Sequence, residues 1–175
     1  MRGLYLRLIA ACVALAACSP PSDQILRDPA APIASIAEVD ITRLTGDWVV
    51  VEAFESSEIG AVGDKVRLLP LRTGQSGAEY GLIIGAETGR GMEFALNRAA
   101  SGRFEENRLA SRNARAFWVL WVDTDYRTAV IGTPSGRHGW VMDRGQETSP
   151  DRLKAARDIL DWYGYDLSQL SGQPR

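Results

Sequence analysis

The chain carries a single histidine, His138, two cysteines, Cys12 and Cys18, and 22 acidic side chains among 175 residues. Acid, base or nucleophilic catalysis needs such groups to converge. His138 stands between Arg137 and Gly139 in a turn-forming stretch and reads as an exposed polar residue, with no second imidazole at metal-ligand spacing. Glu105-Glu106 reads as a solvated surface pair, and no glycine-rich stretch meets a helix start as a phosphate loop does. These residues point to no enzyme, no metal site and no cofactor. One carboxylate stands apart, because Glu52 lies inside the apolar run Asp47-Trp48-Val49-Val50-Val51-Glu52-Ala53-Phe54. Alternation along a strand puts Trp48, Val50, Glu52 and Phe54 on one face. If that face is interior, the carboxylate must find an arginine or a ligand head group; a bulge would instead turn it outward.

The N-terminus offers a different chemistry. Arg2 and Arg7 precede the apolar run Leu8 to Leu15, too short to span a bilayer, and small residues then lead to Cys18. Leu15-Ala16-Ala17-Cys18 resembles the lipobox of bacterial lipoproteins. That resemblance implies a signal peptide over 1–17, cleavage before Cys18 and lipid on its sulfur and amino group. The mature chain would then carry 18 basic against 22 acidic groups, a formal charge of −4, and no free thiol. A disulfide, a cysteine nucleophile and a cysteine metal ligand are excluded with it. The acidic balance also lacks the cationic excess that nucleic acid binding needs.

From Ser19 to about Ala37 four prolines and few large apolar groups predict an extended linker, with a reach near 60 Å at about 3.1 Å per residue. The expected organisation is a signal peptide at 1–17, a lipid-anchored flexible linker at 18–38, a domain at 39–170 and a tail at 171–175. Within the domain, short β-rich runs over 47–54, 64–72, 79–85, 91–97, 117–124, 127–132 and 139–144 alternate with Gly, Pro and Ser turns. An eighth run near 103–110 is polar and fits a strand, a loop or a helical turn. Even spacing with no intervening helices predicts an antiparallel up-and-down barrel or sandwich. Ser149-Pro150 then opens a helix, about 149–163, whose stripe Leu153, Ala156, Leu160 and Tyr163 needs an apolar wall. Strand 117–124 supplies two apolar faces, Phe117, Val119 and Trp121 on one and Trp118, Leu120 and Val122 on the other, and the helix is expected to cover one of them.

Three short stretches carry a family resemblance. Gly46-Asp47-Trp48 opens the first strand, Thr124-Asp125-Tyr126 joins two late strands, and Trp140-Val141-Met142-Asp143-Arg144 closes the last. Together they resemble the three motifs of lipocalins. The segment from Phe117 to Ser168, helix included, resembles the bacterial lipocalins that are outer-membrane lipoproteins. The match covers about 41–56 and 116–170, roughly 70 of the 175 positions. Departures are Val49, where relatives often have an aromatic, Pro70 in the second strand, and the unmatched 57–112. The resemblance implies a mainly β fold, an eight-stranded up-and-down antiparallel barrel with one C-terminal helix packed outside. Its base is closed by Trp48 beneath Arg144, and its cavity takes one small hydrophobic or amphiphilic ligand of the fatty acid or lysophospholipid class. Val50, Glu52, Phe54, Tyr80, Phe94, Trp118 and Trp121 are then the candidate cavity liners, each also open to a plain packing role. It further implies attachment through Cys18 to the periplasmic face of the outer membrane. Two other classes remain open: a periplasmic protease inhibitor using an extended N-terminal arm, and a structural envelope lipoprotein whose barrel is filled by its own side chains.

Overall fold

Runs rich in Val, Ile, Leu and aromatic residues, cut by glycine turns, become nine strands in a computed structural model that describes residues 25–54, 59–71, 77–89, 91–107 and 114–172. These are β1 (Gly46–Phe54), β2 (Lys65–Pro70), β3 (Tyr80–Ile84), β4 (Met92–Ala100), β5 (Arg103–Glu106), β6 (Ala116–Val122), β7 (Thr128–Gly132), β8 (Gly139–Asp143) and β9 (Leu170–Gly172). All neighbours pair antiparallel in chain order, and β2 also pairs with β1, so β1 to β8 close into an up-and-down barrel. The lower half of β1 pairs with β2 and its upper half with β9, a strand from the stretch expected to be a tail. The expected signal peptide, 1–17, and Cys18 lie outside the described residues, as do position 72 and positions 108–110 of two expected strands and the last three residues.

The polar run near 103 is a strand, β5, in which Phe104 is the buried group. The helix α2 (Pro150–Trp162) starts where its cap predicts, Ser149 Oγ accepting from the Arg152 N–H. It lies against the outside of β6 and β7 and buries Ala156 and Leu160. A short helix α1 (Ile41–Leu44), capped by the Asp40 carboxylate, crosses the base before β1.

The prolines at the start mislead. From residue 25 onward the stretch expected as free linker is laid along the barrel: Leu26 is buried, its N–H donates to the Gly136 carbonyl, and the Asp28 N–H donates to that of Gly164. Farther along, the Ile36 N–H donates to Val119 O and the Asp40 N–H to the Tyr126 hydroxyl. A few well-placed donors dock this segment without any strand period. The folded unit therefore includes residues 25–38, part of the expected linker.

Candidate functional site: the barrel interior

Alternation sends one set of side chains inward, and here that set is almost wholly apolar. Trp48, Val50 and Ala53 from β1, Val66 and Leu68 from β2, and their counterparts around the barrel form one continuous core. Leu44 of α1 closes this core below. Beneath it the Arg144 guanidinium lies 3.7 Å over the Trp48 ring and donates to the carbonyls of Asp47, Arg43 and Thr45. The Trp48 N–H donates to Leu44 O. Burial lowers the Arg144 pKa from its ordinary value, and the Asp47 charge opposes that fall. Arg43 in turn stacks over Tyr126, a residue held at φ +57° in the β6–β7 turn. The base is thus a lattice of guanidinium and ring contacts that joins all three sequence motifs.

The other end is roofed. Phe94 meets Phe117 edge to face, and Phe117 meets Trp140 likewise, a tier of rings across the mouth end. Residues 59–64, which lead into β2, fold over this tier with Ile59 fully buried and Val62 half-buried. Gly60 lies so close to Trp140 that a Cβ there would stand 3.2 Å from the indole, at φ +80° besides. The Asp64 carboxylate secures the flap, accepting from the Ala61 N–H at 3.0 Å and, at 3.4 Å, from the Thr88 hydroxyl of the neighbouring connection.

Between roof and base a cavity of about 30 Å³ remains, lined by Leu68, Leu82, Leu96, Phe104, Phe117 and Met142 among others. That is room for about two water molecules, and an apolar void of this kind stays dry. Its wall includes Trp140, 1% exposed, whose indole N–H has no partner among the described residues. At the rim, the Arg115 guanidinium sits 5.5 Å from the Phe94 ring centre and 3.9 Å from the Glu106 carboxylate. Chemically, this interior is a hydrocarbon-like lining with one buried donor in its wall and one cation at its rim, and as it stands it has no room for a hydrocarbon chain. Among the described residues, no group of three His, Cys, Asp or Glu gathers as metal ligands do.

The expected liners divide. Val50, Tyr80 and Phe94 face the interior. Glu52, Phe54, Trp118 and Trp121 do not: β1 carries a bulge between Val50 and Glu52 and β6 one between Val119 and Trp121, which turn Glu52, Phe54 and Trp121 outward, while Trp118 faces outward by plain alternation with Phe117 and Val119. Each bulge inserts one residue, so Val51 and Glu52, and likewise Leu120 and Trp121, turn outward together. Glu52 is buried beneath α2 in a two-pronged pair with Arg157, whose pKa that hydrogen bond raises. Phe54 stacks on Tyr165 outside the barrel, and the Arg103 guanidinium covers the outer Trp118 ring at 4.3 Å. The expectation of a carboxylate inside the cavity is therefore corrected. Phe104, Phe117 and Met142 were absent from the expected liners, as were Leu82 and Leu96, although simple alternation on β3 to β6 and β8 points to them.

Residues 88–175 match a family model described as a lipocalin-like domain. Over 59 residues the chain is 34% identical to temperature-induced lipocalin-1 of Arabidopsis thaliana, a match covering 34% of this chain and 32% of that protein. The match thus spans about a third of the relative's length. Among solved structures, the bovine lipocalin allergen Bos d 2 superposes with TM-score 0.54 at 11% identity, over 77% of this chain and 94% of that one. The siderocalin Ex-FABP superposes with TM-score 0.53 at 18% identity, over 76% and 95%. At such identities these two structures speak for the fold alone.

Proposed function

The chain belongs to the lipocalin-like family, whose members bind or carry small hydrophobic molecules, and from that premise we propose that it is a lipid-anchored carrier of a single-chain anionic amphiphile of the fatty acid or lysophospholipid class. The observation that carries the proposal is the interior itself: a small apolar space in whose wall, among the described residues, the Trp140 N–H is the one polar atom without a partner. A hydrocarbon chain gains from such a lining as any apolar group gains on leaving water. A head group at the mouth meets Arg115, held by Glu106 only at 3.9 Å, and can displace that partner. Entry requires the Ile59 flap to lift and interior side chains to repack around the chain. Attachment through Cys18 to the periplasmic face of the outer membrane, by the bacterial lipoprotein route, belongs to the same proposal.

The small volume, about 30 Å³, favours a second reading, a structural lipoprotein with a filled barrel. A protease inhibitor is disfavoured, because the arm it would insert is, from residue 25, laid on the barrel wall. Native mass spectrometry of full-length protein purified from membranes separates the two remaining readings. The carrier reading expects a bound species with the mass of a single-chain lipid, and expects its loss to be reversed by added fatty acid, with Arg115→Ala weakening rebinding about tenfold. Protein that stays ligand-free and refuses every fatty acid would establish the filled barrel instead.

A further inference from the structure

The first described residues, 25–28, lie at the mouth end of the barrel, and this bears on how an anchor at Cys18 would place the molecule. Residues 25–28 are fixed there: the Leu26 N–H donates to Gly136 O in the β7–β8 turn, the Asp28 N–H to Gly164 O, and the Leu26 carbonyl accepts from the Asp166 N–H. Arg27 bridges to Tyr165 and donates to the Tyr163 carbonyl. Gly136, at φ +69°, is pressed so near that any Cβ would stand 2.4 Å from the Arg27 side chain. Cys18 is seven residues before Ile25 in the sequence. Seven residues reach no more than about 25 Å even fully extended. An acylated Cys18 would therefore hold this end close to the bilayer, where a linker running to residue 38 would have let the domain stand far off.

Two large apolar side chains of the described residues are exposed, Ile25 at 51% and Trp162 at 77%. Both belong to this end, Ile25 beside the Gly136 turn and Trp162 on the last turn of α2, two residues before the Gly164 that holds Asp28. An indole with an apolar body and a polar edge suits the headgroup region of a bilayer. We infer that the mouth end, through Ile25 and Trp162, is a membrane-docking face whose partner is the lipid surface carrying the Cys18 anchor. The inference rests on the anchor reading. A short tether raises the local lipid concentration so far that two side chains suffice to orient the domain. Asp28 and Asp161 flank these groups, so the contact is hydrophobic and suits zwitterionic phospholipid. Docked this way, the barrel opens toward the bilayer, and a single-chain lipid can pass between them without crossing water.

Full-length protein purified from membranes and reconstituted into vesicles of zwitterionic phospholipid with brominated acyl chains tests this, once the mass of the N-terminal peptide has reported acylation. The expected result is an acylated peptide and tryptophan quenching that falls by more than half in Trp162→Phe, and again when a flexible thirty-residue Gly/Ser insert follows Ser22. Ile25→Ser should reduce it as well. Acylated protein whose quenching is the same with and without Trp162 overturns the docking face and leaves the anchor standing. A peptide without lipid overturns the anchor and the docking face together.

Discussion

Inside the barrel hardly a polar atom is found, whereas the seam between the barrel wall and α2 buries two carboxylates, Glu52 at 2% and Asp143 at 0% exposure, each held by an arginine of the helix. Glu52 pairs with Arg157, and Asp143 accepts from the Thr128 hydroxyl and from Arg152. The two regions share the same strands and differ in what fixes their geometry. Interior positions follow the pleat except where β1 and β6 bulge, and any hydrophobic group of suitable volume serves there. In the seam, β1 and β6 each bulge where the helix crosses, and two charge pairs specify where α2 lies along the wall. A polar register suits a permanent contact. An unspecific apolar lining suits a space that must admit something else.

That contrast can be broken in several ways. Leu96→Ala, in the interior, should cost the largest amount, about 3 kcal/mol in a urea titration, through lost burial and a larger void. If the interior is a container, the same variant should bind fatty acid at least as tightly as the parent; an equal loss of binding would mean that Leu96 supports the fold and nothing else. In the seam, Arg157→Ala leaves a buried carboxylate without its partner and should cost about 2 kcal/mol, short of a fully buried pair because Arg157 is half-exposed. Glu52→Leu should cost under about 1 kcal/mol, since the guanidinium can turn to water. Neither change should alter fatty acid affinity, and a shift in affinity for both would return Glu52 to the cavity. At the base, Arg144→Ala should cost roughly 1.5 kcal/mol through the lost stack on Trp48 and the vacated carbonyls, again without effect on binding. The smallest effect belongs to the exposed Asp47 and Arg67 pair. The hydrogen bond from Arg67 lowers the Asp47 pKa, so its stabilisation is present above about pH 4 and fades as the pH falls through the lowered value. Melting temperatures of the parent and Asp47→Asn should differ slightly at pH 7 and converge near pH 2.

Much of the architecture could be read from residue order, because each cue is local. Gly and Pro turns spaced the strands, and Ser149-Pro150 with Leu153, Ala156 and Leu160 located α2 within a residue. The bulges could not be read: an inserted residue in Val49-Val50-Val51-Glu52 or Val119-Leu120-Trp121 leaves no mark of composition, and everything beyond it changes face. For that reason Glu52, Phe54 and Trp121 were assigned inward and lie outward. Strand β5 was obscure because one inward group, Phe104, gives no period. Residues 25–38 read as linker because backbone donors finding carbonyls on distant strands have no signature in their own neighbourhood. The rim cation Arg115 is one arginine among many until the fold sets it over Phe94.

The central claim, that hydrocarbon occupies the barrel and not the seam, is tested most directly by intermolecular nuclear Overhauser contacts between an isotope-labelled long-chain fatty acid and the methyl groups of the protein. Contacts to Leu82, Leu96 and Met142, with none to Leu120, Leu153 or Leu160, are the predicted result. Contacts confined to the leucines beneath α2, or none at all with a saturating ligand, would contradict it.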